Sequence, residues 1–133
     1  MSQHQPVLRG NSVYLSPLVP EHLASLMLIA TKSPDAFVWT STPRTDAERD
    51  DYFGQAFANR DAGTALPFAI VHKENGAVVG TTRLNEIDLG NRRCSIGYSW
   101  IAPRHHGDGT NLESKYLLLQ YAFEELGMNR VQF

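Results

Sequence analysis

Cysteine is almost missing: Cys94 stands alone in 133 residues, which excludes an internal disulfide and a thiolate metal cluster. No apolar run approaches the roughly 20 residues that span a bilayer. The N-terminus has no basic region followed by the apolar stretch that marks a secretory signal. An excess of one charge sign is lacking too, since 12 Lys and Arg against 14 Asp and Glu leave a formal net charge of -2. Nothing in that balance draws the chain to nucleic acid or to an anionic membrane, so any anion site has to be local. These absences predict a cytoplasmic protein with no nucleic-acid partner, no membrane association and no bound metal. Repeats, low-complexity tracts and linker-like shifts are also missing, so residues 1–133 read as one domain, long enough to bury a core without staples.

What is present is a readable alternation of elements. Residues 7–19 carry two short extended runs around Gly10-Asn11-Ser12 and predict a bent or bulged strand. Pro20 suits a first helical turn, and Leu23, Leu26 and Met27 give an apolar face to a helix over about 20–30. Residues 33–44, bounded by prolines, predict irregular chain. Trp39 within them lines a pocket or plugs the edge of the core. Thr45-x-x-Glu48 has capping-box form and opens a helix to about Arg60, with Gly63 beyond its end. From residue 66 the period becomes that of strands: LPFAIVHK, a Glu74-Asn75-Gly76 turn, AVVGTTRLNEI and then RRCSIGYSWIA predict an antiparallel meander. Gly80 and Gly97 within it mark bulges or close backbone approach.

The last long element is a helix. Leu112, Tyr116, Leu119, Phe123 and Leu126 recur at steps of four and three and predict its buried stripe, widened by Leu118 and Ala122, with Gly127 as the stop. RVQF then starts a further strand.

Between the meander and that helix stands RHHGDGTN, residues 104–111. Strand, short glycine loop and long helix together favour anion binding. The first helical N–H groups lack intrahelical acceptors, and glycine lets an anion approach the backbone. The same residues also suit an ordinary turn. The Gly-Lys-Ser/Thr ending of a nucleotide P-loop is absent, as is a full dinucleotide fingerprint. Asp108 sets a negative charge in this loop and is expected to point to solvent. Thr110-x-x-Glu113 has capping-box spacing.

Arg104-His105-His106-Gly107-Asp108-Gly109 resembles the Q/R-x-x-G-x-G/A motif of the GNAT superfamily of acyl-CoA-dependent N-acetyltransferases. The flanking IGYSWIAP and TNLESKYLLLQYAFEELGMNRVQF are similar to the branch of ribosomal-protein N-terminal acetyltransferases. The resemblance implies an α/β (α+β) fold, with a mixed, mostly antiparallel central sheet flanked by helices. It implies acetyl-CoA as co-substrate. Trp100, Ile101 and Ala102 would end the strand whose main chain pairs with pantetheine. Arg104, His105, His106, Gly107, Asp108 and Gly109 would form the pyrophosphate loop, and Thr110 and Asn111 would open the helix.

The implied chemistry is transfer of an acetyl group to a primary amine, on a protein N-terminus or a small molecule. Glu86 is the candidate general base, with Asp88 behind it, while Tyr98 and Trp39 would shape the acceptor pocket. Ser95 stands where many relatives carry an acidic residue. Relatives also continue with a further helix and two strands, so the chain reads as an acyl-CoA-binding domain truncated at its fifth strand. The alternative is a catalytically impaired acyl-CoA-binding or interaction module that completes its sheet by pairing with a second copy.

Overall fold

The computed structural model describes residues 5–32 and 42–133; Trp39 and most of the proline-bounded segment lie outside them. The elements are β1 (Leu8–Arg9), β2 (Val13–Pro17), α1 (Leu23–Lys32, led in by a 3-10 turn at Pro20–His22), α2 (Asp46–Asp61), β3 (Leu66–His72), β4 (Val78–Asp88), β5 (Arg93–Ile101), α3 (Thr110–Gln120) and β6 (Arg130–Gln132). They form an α/β fold with one mixed sheet in the order β1-β2-β3-β4-β5-β6, antiparallel throughout except for the parallel β5–β6 pair.

The sheet thus has six strands among the described residues, which corrects the expectation of a fifth and last strand. The run 7–19 is two strands, because the turn at Gly10 folds β1 back onto β2 and pairs Leu8 with Leu15 and Arg9 with Tyr14. A side chain on Gly10 would overlap the Glu113 carboxylate, which reaches over from α3 and accepts from Ser12 N (2.9 Å) and Val13 N (3.0 Å).

Strand alternation divides the core. On β3, Leu66, Phe68 and Ile70 face α3 with Leu84, Ile96, Ile101, Leu117, Leu118 and Ala122. Ala69 and Val71 face α1 and α2 with Leu26, Ala30, Phe53 and Trp100. The α2 cap forms as expected on the Thr45 side, whose hydroxyl accepts from Glu48 N at 3.1 Å. Glu48 reaches one residue further than a capping box requires, to Arg44 N at 2.8 Å.

The buried stripe expected on α3 packs only in part, through Leu118 and Ala122, with Leu119 and Leu126 partly buried against the core. Leu112 is 74% exposed and Tyr116 61%, and Phe123 is exposed as well. The buried face is Thr110, Ser114, Leu117, Leu118 and Ala122. Both stripes have helical spacing, and size separates them, because Thr110, Ser114 and Ala122 are small enough to let the helix lie close to the sheet. Ser114 satisfies its own hydroxyl by donating to Thr110 O at 2.8 Å. The helix ends in a π-helical turn, Tyr121–Glu125, closed by Leu126 N donating to Tyr121 O. No helix among the described residues is long and apolar enough to cross a membrane.

Candidate functional site

Two irregularities in the β4–β5 pairing shape the strands that lead to the glycine loop. Between the Thr81–Trp100 and Arg83–Gly97 pairs, β5 carries one extra residue, and Tyr98 there adopts φ 53°. Between Asn85–Ser95 and Asp88–Arg93, β4 carries the extra one, and Glu86 adopts φ 49°. Such left-handed non-glycine residues are uncommon and typify bulges. The bulge expected near Gly97 therefore lies at its neighbour. Gly80 is a close-approach glycine, because a Cβ there would strike the Trp100 carbonyl oxygen and sit 2.9 Å from Ile101 Cα.

The end of β5 is well held. Ala102 N donates to Val79 O at 2.7 Å. Trp100 is buried toward α2 and its indole N–H donates to the Tyr52 hydroxyl at 3.1 Å. Ile101 turns to the α3 side, and its carbonyl accepts from His106 Nε2 at 2.9 Å, so His106 pins the strand end. A 3-10 turn at Pro103–His105 follows. Gly107 (φ 83°) and Gly109 (φ 91°) then carry the chain through left-handed conformations to α3, with open space where a Cβ would stand. Glycine is the residue that adopts these angles without penalty.

Asp108 is exposed, as expected, but its carboxylate is also engaged within the loop. Its Oδ1 accepts from Thr110 N at 3.0 Å and its Oδ2 lies 2.7 Å from His105 Nδ1. Hydrogen bonding from the Thr110 side chain, then from His105, holds the carboxyl well below the usual carboxylate range. The capping box expected at Thr110 and Glu113 is also absent. Helix α3 begins at Thr110 itself, Gly109 is its N-cap without a side-chain cap, and Glu113 is engaged with the β1–β2 turn. Asn111 is exposed on the first turn, and Arg104 is exposed with its Nε donating to His105 Nε2 at 3.3 Å.

A groove of about 480 Å³ runs from this loop along α1, bordered by Leu28, Lys32, Ala77, Ala102, Pro103 and Arg104. A larger cavity of about 770 Å³ lies at the opposite end of β5, bordered by Glu86, Asp88, Arg93, Cys94 and Arg130. Size does not decide between them; of the two, the groove is the one that reaches the end of β5 and Arg104, the first residue of the glycine-loop segment. Glu86 is exposed and bulges at the Arg93–Ser95 level, so roughly seven strand residues, about 20 Å, separate it from Ala102. The structure therefore gathers Trp100, Ile101, Ala102 and residues 104–111, and leaves Glu86 apart from them.

Tyr98 belongs to a cluster that sequence patterns do not reveal. Arg83 is 5% exposed. Its guanidinium lies 4.2 Å from the Tyr98 ring centroid and 5.3 Å from that of Tyr52. Burial pushes the Arg83 pKa down and the Tyr52 phenol up. The Tyr52 hydroxyl donates to Tyr98 O at 3.3 Å. An arginine in the middle of a strand carries no mark in sequence of lying between two rings.

Residues 12–133 match the family described as Acetyltransferase (GNAT) domain, and the chain belongs to that family. It is similar to an uncharacterized N-acetyltransferase, p20, of Bacillus licheniformis, with 39% identity over 70 residues, 53% of this chain and 39% of the relative. It is also similar to YdaF of Bacillus subtilis (strain 168), provisionally named a ribosomal N-acetyltransferase, with 42% identity over 57 residues, 43% of this chain and 31% of the relative. The crystal structure of a GCN5-related N-acetyltransferase from Brucella melitensis superposes with a TM-score of 0.81 at 26% identity, covering 98% of this chain and 60% of that one. The matched segments thus span less than half of these curated relatives and about three fifths of the solved structure.

Proposed function

We propose that this chain binds acetyl-CoA and transfers its acetyl group to a primary amine, as part of an N-acetyltransferase of the ribosomal-protein type. The observation that carries the reading is the junction after β5. Two left-handed glycines open onto the first turn of α3, and Lys32 and Arg104 border the adjoining groove. Helix N-terminal amides and nearby cations suit a pyrophosphate.

Acetyl-CoA, when bound, supplies an activated thioester. The chain's own part would be to hold it, with main-chain groups of Trp100–Ala102 pairing with the pantetheine arm as it runs along β5 away from the glycine loop. The strand β6 pairs with β5 only along Arg93–Ser95, and the later part of β5 has no β6 partner among the described residues. In the transfer, the neutral amine forms the C–N bond as the C–S bond breaks. Its extra proton leaves to a base, and the thiolate takes up a proton. Glu86 can serve as that base only for an acceptor bound along the lower half of β5, beside the 770 Å³ cavity. Kinetics of Glu86→Gln test it, and an unchanged kcat removes Glu86 from the reaction. Tyr98, with Arg83 behind it, would shape the acceptor pocket.

Calorimetric titration with coenzyme A tests the loop. Gly107→Asp should weaken binding by about tenfold or more, while Gly107→Asn, which tolerates the same backbone angle without the charge, should weaken it far less. Equal affinities for the two variants would refute the pyrophosphate assignment. Thiol release with a panel of amines, including N-terminal peptides, then tests transfer.

A second reading is a non-catalytic acyl-CoA-binding or interaction module that pairs with its own copy. It is favoured by the exposed Leu112, Tyr116 and Phe123 of α3, together with Phe133 at 74% exposure. Sedimentation velocity of the chain and of Leu112→Glu tests it: a dimer that the variant abolishes supports it, and a monomer at all concentrations rejects it.

A further inference from the structure

Where the end of β3 meets the glycine loop, two histidines and a carboxylate from separate parts of the chain converge. His72 is the last residue of β3, whereas His105 and Asp108 stand at i and i+3 in the loop after β5. One potential ligand atom from each lies within 4.8 Å of the others. The two imidazole rings approach to 4.8 Å between centroids at 31°. We propose that His72, His105 and Asp108 form a binding site for a divalent transition metal of the zinc class, departing from the expectation of no metal.

The donor set is the first argument. Two imidazoles and one carboxylate are the nitrogen and oxygen ligands such ions take, and three protein ligands leave an open position for water. The second argument is the protonation pattern. Arg104 Nε donates to His105 Nε2, which makes that nitrogen the acceptor and leaves the ring proton on Nδ1, facing Asp108 Oδ2 at 2.7 Å. A metal ion would take the place of this proton, bridging Nδ1 and Oδ2 while His72 closes the third side. Zinc bonds of about 2.0–2.2 Å put tetrahedral ligands about 3.3 Å apart, so the groups need to move by only about 1 Å. The third is charge. A dication satisfies two neutral rings and one carboxylate at once, and cancels the negative charge beside the glycine loop.

The test uses the metal alone, without coenzyme A, so that its outcome is separate from that of the pyrophosphate assignment. The full chain, stripped with a chelator, is titrated with Co²⁺ followed by its visible d–d absorption, and with Zn²⁺ by calorimetry. One equivalent should bind, with d–d bands of a four- or five-coordinate ion. His72→Gln and His105→Ala should each weaken binding by about tenfold or more, whereas His22→Ala, on the lead-in to α1, should not. Circular dichroism checks that each variant is folded, and His72→Ala replaces His72→Gln if the latter is not. No binding, or an affinity that survives both loop and strand variants, would overturn the proposal and mark the ion as adventitious.

Discussion

Arg83 shows how much a single side chain can depend on its neighbours. It is buried, none of the ion pairs among the described residues includes it, and Tyr52 and Tyr98 flank its guanidinium. A planar, weakly hydrated guanidinium stacks on rings where a compact ammonium cannot. Arg83→Lys should therefore lower the thermal midpoint more than Arg83→Met, which removes the buried charge and keeps most of the volume. The reverse order in calorimetry would mean that charge rather than stacking matters at this position.

Asp108 sets the second expectation at this scale. Its carboxyl is depressed by bonds from Thr110 and His105, so the folded state favours its ionised form. The stabilisation is present above the ordinary carboxylate pKa of about 4 and is lost as pH falls through the lower folded value. Acid titration of stability should be shallower in Asp108→Asn than in the parent below about pH 4. Parallel acid limbs in urea unfolding would show that the loop bonds contribute nothing.

At the scale of elements, α3 is fastened near both its ends. Leu118 is fully buried against the sheet, and Leu118→Ala should cost about 2–5 kcal/mol in urea unfolding. Glu113 ties the helix to the β1–β2 turn through two backbone N–H groups. With one of those bonds exposed, Glu113→Ala should cost about 1.5 kcal/mol. Gly80→Ala should be disruptive beyond its size, because the clash falls on the β5 backbone that leads into the glycine loop. Coenzyme A affinity in that variant should fall together with stability. The capping of α2 at Thr45 was open to inspection in sequence because the contact is local, three residues apart. Glu113 was misread as local because its true partners are about a hundred residues away.

Over the whole molecule, the layered order of strands and helices was legible because each element carries its own period and punctuation. The meander, both long helices and the glycine loop follow from alternation, turn residues and caps, and the α/β class from the family resemblance. The resemblance of residues 104–109 to the GNAT motif agrees with the family match over 12–133. The full face of α3 that packs, the partners of Asp108 and the distance of Glu86 from the loop were not legible. Each depends on register and close approach between elements, which a one-dimensional pattern does not encode.

The amino-acid sequence by itself determined the order of strands and helices, the place of the glycine junction before α3 and the need for glycine at 107 and 109, since these rest on local backbone preferences. Only the tertiary structure decided that Asp108 folds back on its own loop and that Arg83 lies between two tyrosines. It also decided that His72 meets His105 and Asp108 across the sheet edge. Those outcomes come from packing and hydrogen bonding between segments distant in the chain, where geometry rather than residue type selects the partner.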